Sequence, residues 1–244
     1  MANPQHVQIL LSGVTQWNAW RDSSAETPDL TGADLSDQDL SGINLKGAIL
    51  ERATAKNTIL HGASLRSSNF TDAVLSGADL AGADAGQAIF IRTELTKAIL
   101  KGKFVTTSFE HAVLVDANLT SAQLVRAEFS SADLTNANLS GANLDGATLR
   151  KAKLAKADFT DADVSGANFT GATGLSLNLT LTRDAVFSPH ASDAWSVLRR
   201  NYTGPKLFFH LLLLTIFFVP LSARALMCGR RFTLGAVLKS RSPH

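Results

Sequence analysis

Between residues 30 and 169 a large apolar side chain returns at every fifth position, usually with an alanine two residues before it. The apolar centres fall at Leu30, Leu35, Leu40 and onward to Leu100, fifteen in all. They resume at Phe104, Phe109 and Leu114 and run to Phe169, fourteen more. The other three places in each five-residue word are mostly polar, as in Thr31-Gly32-Ala33-Asp34-Leu35 and Ser76-Gly77-Ala78-Asp79-Leu80. A period of five matches neither the 3.6 of a helix nor the 2.0 of a flat strand. Repetition of this kind predicts an array whose units cannot bury a core alone and must stack on their neighbours.

Two inward positions flanking one outward position describe a short extended side. The remaining two residues, often Ser-Gly, Thr-Gly or Asp-Gly, then turn a corner. A narrow tube has room for one bulky and one tiny group per side, so Leu or Phe alternates with Ala. Words such as Ala132-Asp133-Leu134-Thr135-Asn136 and Ala137-Asn138-Leu139-Ser140-Gly141 resemble those of pentapeptide-repeat proteins. The resemblance covers about 150 residues. It implies an all-β solenoid, a right-handed quadrilateral β-helix with four words per coil. On that geometry the words make about seven coils, and a spacing of ~4.8 Å per coil gives a rod of roughly 35 Å.

With four words per coil, Phe70, Phe90, Phe109, Phe129 and Phe169 share one side and are expected to form a column of rings. Phe104 and Phe159 stand outside it. One residue is missing between Leu100 and Phe104, yet the column holds across the gap, which predicts a tightened corner within one continuous rod. Ala55 and Ala85 occupy centres and would leave the tube underfilled, so softness is expected there unless larger neighbours compensate. The Asp and Asn residues before the centres read as outward, solubilising groups.

Both ends of such a tube need covering. Val7, Leu10, Leu11, Val14, Trp17 and Trp20 recur at helical spacing, predicting one amphipathic capping helix over residues 4–21, within a segment 1–28 that precedes the array at 29–180. The two tryptophans read as cap residues in preference to a ligand-stacking pair. Beyond Phe169 the words decay. Alternating Leu175, Leu177, Leu179 and Leu181 suggest a closing strand, and Asp193 a cap for a short helix at 194–201, within a linker at 181–205. Residues 207–223 then carry no formal charge and are flanked by Lys206 and Arg224. Seventeen such residues span about 25 Å as a helix, and the two cations can snorkel to headgroups. Residues 206–224 are therefore expected to enter a membrane, as a single pass or a re-entrant helix, with a basic tail at 225–244. A helix docked on the rod would need a groove that a β-helix does not offer. His210, inside this segment, sits one turn from Lys206 and reads as interfacial.

Charge sharpens this division. Residues 29–180 hold 17 acidic and 13 basic side chains, whereas 181–244 hold 2 and 9. Cations after the span favour a cytoplasmic C-terminus. The absence of a basic-then-apolar leader in the first residues favours a cytoplasmic array. The single cysteine, Cys228, rules out an intramolecular disulfide framework.

Catalytic chemistry is not indicated. The histidines His6, His61, His111, His190 and His244 look scattered, His61 and His111 at solvent-facing corners, and no metal-ligand spacing is found. The abundant Ser and Thr belong to corners. The Gly42-to-Gly47 spacing lacks the Lys-Ser/Thr of a phosphate loop. Asn-x-Ser/Thr triplets at Asn69, Asn118, Asn138 and Asn168 are by-products of the repeat. No catalytic, cofactor-binding or metal site is expected, and no small-molecule substrate. The resulting expectation is a non-enzymatic scaffold tethered to the inner face of a bacterial-type membrane, with the bilayer and a protein as partners. The alternative implied by the resemblance is a DNA mimic that regulates a topoisomerase. It requires a dense negative line, which a near-balanced array with Lys151, Lys153 and Lys156 grouped at one end does not supply.

Overall fold

The computed structural model describes residues 1–175 and the backbone of 186–187. The expectations for a closing strand at 177–181, a helix at 194–201, and Lys206, His210, Arg224 and the apolar run lie outside the described residues.

From Asp29 to Lys153 each side of the tube pairs in parallel with the side one coil later, and an antiparallel bridge joins Ala155 to Leu175. Asp29 bridges Ile49, Asp34 bridges Thr54, and Asp39 bridges Ile59, a register of twenty residues and hence four words per coil. Two bonds per side carry the stacking: Leu30 N–H donates to the Ile49 carbonyl at 2.8 Å, and Ile49 N–H to the Pro28 carbonyl at 2.8 Å. The strands are too short to close a ladder within themselves, so these coil-to-coil bonds satisfy the buried backbone. A last pair is formed by β1 (Asn168–Phe169) and β2 (Val186–Phe187), also parallel.

Corners follow one plan. The Ala33 N–H closes onto the Leu30 carbonyl at 2.9 Å, and Gly32 between them has φ 70°. Positive φ at the third residue defines a type II turn, which favours glycine. Even so, eighteen non-glycine residues among those described take it, from Asp37 to Asp161, with φ between 53° and 63°. Each such corner costs about 1–2 kcal/mol of backbone strain. A repeated corner is tolerated because the stacked sides on both flanks dictate it.

Inside, the Leu and Phe centres and the paired alanines are almost fully buried. Where the alanine position holds a hydroxyl residue, that hydroxyl donates to a backbone carbonyl. Thr58 reaches Leu35 at 2.7 Å, Ser68 reaches Leu65 at 2.6 Å, Thr93 reaches Phe70 at 2.7 Å, and Thr107 reaches Ala85 at 2.7 Å. A buried hydroxyl is costly only when unpaired. Ala85 is itself fully buried, and the next centre in its column is Phe104, whose larger side chain is also fully buried.

The shortened step is a three-residue turn in which Gly102 N–H donates to the Leu100 carbonyl at 3.0 Å. Register falls to nineteen for one coil, from Asp84↔Lys103 to Ile99↔Asn118, and returns to twenty at Lys103↔Gln123. Glycine is needed here for space. A Cβ on residue 102 would lie 2.5 Å from the Ala83 carbonyl oxygen, which is held in the ladder. Gly102→Ala is expected to lower the unfolding free energy by about 2–3 kcal/mol, because backbone must shift to relieve the clash. Urea denaturation of the two proteins measures this.

Candidate functional site: the edge and faces of the rod

The first coil has no predecessor, so its outer edge presents backbone groups that every later coil pairs. Two helices supply the partners: α1 (Pro4–Leu11) and α2 (Val14–Ser23). This differs from the single helix expected over 4–21. Gly13, at φ 116°, breaks the chain between them, and Leu11 is left exposed instead of continuing the apolar stripe. Asn3 caps α1 through its side chain, and Pro4 occupies the first turn, where its missing N–H is harmless.

In later coils a residue's carbonyl accepts from the N–H nineteen positions earlier, as Glu51 does from Gly32. Continuing that rule, the carbonyls of Asn44 and Lys46 have no coil to receive from. Trp17 Nε1 donates to Asn44 O at 2.8 Å, and an Arg21 guanidinium nitrogen donates to Lys46 O at 2.9 Å. Asn18 completes the match, accepting the Asn44 N–H at 2.8 Å and donating to Gly42 O at 3.1 Å. At Asp29 the N–H donates to His6 Nδ1 at 3.0 Å, while the carbonyl accepts the Asn3 N–H at 3.0 Å.

His6 is therefore not the isolated residue its sequence position suggested. It is buried, its Nε2 lies 3.2 Å from a Glu26 carboxylate oxygen, and its ring sits 4.9 Å from that of Trp20. Because Nδ1 accepts from Asp29, the proton of neutral His6 resides on Nε2, facing Glu26. Trp17 is fully buried and Trp20 half-buried, their rings 5.0 Å apart, with the Arg21 guanidinium 5.7 Å from the Trp20 ring. Burial pulls Arg21 below the usual arginine range.

Four of the five column phenylalanines form one stack. Phe70 and Phe90 lie 4.8 Å apart, Phe90 and Phe109 5.2 Å, and Phe109 and Phe129 4.9 Å, all nearly parallel. The stack runs straight through the nineteen-residue coil. Phe169 does not touch these rings, because Leu149 is the next centre of the column, its N–H bonded to Asn168 O. Phe169 instead meets Phe159 edge-on at 6.0 Å. Phe104 joins the stack obliquely, 6.4 Å from Phe90 and 5.7 Å from Phe109.

On the outside, the Asp and Asn residues before the centres have a second role beyond solubility. Asp39 Oδ1 accepts the Ser41 N–H at 3.0 Å and its hydroxyl at 2.6 Å. Asn138 binds Ser140 in the same way at 2.9 and 2.7 Å, and Asp158 binds Thr160 at 2.9 and 2.6 Å. These side chains hold the corner residue, as Asx turns do. The legible signal was the Asp/Asn-x-Ser/Thr spacing, which the repeat had seemed to generate for no purpose. Further contacts run from coil to coil, including Arg92 with Asp72 at 2.6 Å, Asn136 with Asp116 at 3.0 Å, and Lys153 with Asp133 at 3.1 Å. Exposed pairs of this kind add little stability individually. His61 and His111 lie exposed on corners. Among the described residues no group of three His, Cys, Asp or Glu could hold a metal, and no helix is long and apolar enough to cross a membrane.

Eight copies of the family described as Pentapeptide repeats match the chain, over residues 29–66, 68–102, 104–141 and 132–171. The chain belongs to the pentapeptide-repeat family. No curated protein matches it. Among solved structures it is similar to a trypsin-treated variant of QnrB1, a plasmid-mediated fluoroquinolone resistance protein. That likeness is 17% identical, covers 70% of this chain and 86% of that one, and has a TM-score of 0.51. HetL, involved in heterocyst differentiation regulation in the cyanobacterium Nostoc sp. strain PCC 7120, is 23% identical over 66% of this chain and 96% of its own, with a TM-score of 0.32. A pentapeptide repeat protein from the Arabidopsis thaliana thylakoid lumen is 24% identical over 70% and 91%, with a TM-score of 0.26. The array of this pentapeptide-repeat protein is a right-handed β-helix solenoid.

Two outcomes test the edge and the corners. Trp17→Phe retains most of the ring but leaves Asn44 O without its donor, and is expected to cost about 1–3 kcal/mol, read by chemical denaturation. The hydroxyl and N–H of the residue two positions on hold Asp34, Asp39, Asp158 and Asp163 below the usual carboxylate range. A carboxylate whose folded value is depressed stabilises above its unfolded value and loses that contribution as pH falls through the folded one. Thermal stability is thus expected to fall on acidification below about pH 4. Replacing these four by Asn, which keeps the accepting oxygen, flattens the acid limb.

Proposed function

We propose that this pentapeptide-repeat protein is a non-enzymatic scaffold, a rigid rod held at a membrane by residues 206–224 and presenting its faces to a partner protein. In this reading residues 1–28 cap the rod, 29–180 form about seven coils, 181–205 link, and 225–244 form a basic tail. The observation that carries the tether is the uncharged run at 207–223 between Lys206 and Arg224, long enough to enter a bilayer as a helix. The scaffold half is supported by the interior. Inward positions are filled by Leu, Phe and Ala, so what the array offers another molecule is its outer surface. The likeness to QnrB1 is one of fold, and the near balance of charge over 29–180 gives nucleic-acid mimicry no support.

The full chain is expected to sediment with membranes and to resist alkaline extraction, and removal of residues 206–244 to release a folded, soluble rod. A full-length protein found in the soluble fraction would sink the tether. Cross-linking in native membranes followed by mass spectrometry identifies the partner.

A further inference from the structure

Of the thirteen cations between residues 29 and 180, four stand around one side of one coil. Arg150 and Lys151 form the corner after Leu149, Lys153 is the outward residue of the next side, and Lys156 lies on the corner after Leu154. All four are exposed. Lys153 reaches Asp133 in the coil before, at 3.1 Å, but its side chain remains 66% exposed. Among the described residues Arg150, Lys151 and Lys156 form no ion pair. The acids of the same coil, Asp158, Asp161 and Asp163, stand on the two sides that follow.

The cluster is one coil tall. One coil earlier the corresponding positions are Ser130, Ser131, Asp133 and Asn136, and two coils earlier Glu110, His111, Val113 and Asp116. A nucleic acid would need cations tracking its phosphates along the rod, and the acidic residues in these rows interrupt that path. A flat anionic sheet needs only one edge with several cations at similar height. Further along the chain, after five acidic residues and one arginine between 157 and 198, Arg199, Arg200 and Lys206 lead into the apolar run, so a second basic group adjoins the proposed membrane segment in sequence. Basic groups beside a membrane segment are drawn to anionic headgroups within a Debye length of the surface.

We propose that Arg150, Lys151, Lys153 and Lys156 form a headgroup-binding edge that seats this coil on anionic phospholipid. The inference rests on the tether proposed above, which supplies the surface. It adds an orientation: the side bearing Lys153 faces lipid, and the sides bearing Asp158 and Asp163 stay available to a protein.

The test uses the full chain with vesicles of phosphatidylcholine alone, or of phosphatidylcholine mixed with phosphatidylserine. Amine acylation is read at each lysine by mass spectrometry, and binding by flotation. On the mixed vesicles Lys151, Lys153 and Lys156 are expected to react several-fold more slowly than Lys46, Lys97 and Lys101, with the difference abolished by high salt. The triple variant Lys151→Gln, Lys153→Gln, Lys156→Gln is expected to lose preference for anionic vesicles by about fivefold per cation, on the order of 100-fold in all. A control variant, Lys46→Gln, Lys97→Gln, Lys101→Gln, loses the same net charge and is expected to keep that preference. Equal acylation at both sets of lysines, equal losses in both variants, or protection by a DNA duplex but not by vesicles each overturns the proposal. Flotation with phosphatidylcholine alone but no anionic protection defeats the headgroup edge and spares the tether. Salt-sensitive binding to anionic vesicles only defeats the tether and upholds the edge.

Discussion

Everything in the rod depends on the coil-to-coil backbone hydrogen bond. Each side of the tube is too short to satisfy its own peptide groups, so the N–H and C=O groups of the sides must find the neighbouring coil at the right height and register. A twenty-residue register follows for most of the rod, and it places like positions above like. Ring stacks on ring from Phe70 to Phe129, and the Asx corners at Asn118, Asn138 and Asp158 stand one above another. The strained left-handed corners persist for the same reason, since the bonds on both flanks leave the chain no other path.

The same bond explains the two irregularities. When one residue is lost after Leu100, the coil keeps its sides and shortens a corner, because shifting the sides would unpair two coils at once. Gly102 is the consequence, with Ala83 O already where a Cβ would stand. At the start of the array no earlier coil exists. There, along the sides of Asp29 and Asn44, the side chains of Trp17, Asn18, Arg21 and His6, with the Asn3 N–H, stand in for its missing peptide groups. A side matched donor for acceptor in this way no longer offers a template for adding another strand.

Function, on this account, resides in the outer surface. The inward positions are filled, and the outward ones divide between residues that hold corners and residues free to meet another molecule. A scaffold needs that division. Its shape must not depend on the residues that do the binding, and here the shape rests on backbone bonds and on Leu, Phe and Ala inside.

The repeat showed a stacked array with one large and one small apolar residue per side, and its resemblance to pentapeptide-repeat proteins implied four such sides to a coil. It also placed the four stacked phenylalanines on one side, since column membership is only counting by four. What counting could not decide was whether each column was continuous. Leu149 separates Phe169 from the stack, and ring contact depends on the side chain immediately above. Nor could it find His6. That role arises from a bond to Asp29, twenty-three residues away, created when the chain breaks at Gly13 and folds back. The Asp/Asn-x-Ser/Thr spacing was visible in every such word, but only the turned corner brings the side-chain oxygen and the hydroxyl together. Local pattern determines which residues point inward because side-chain direction follows from the period. Which groups meet at the edge is settled by the tertiary structure, because those contacts, such as His6 with Asp29 and Trp17 with Asn44, join residues that no period relates.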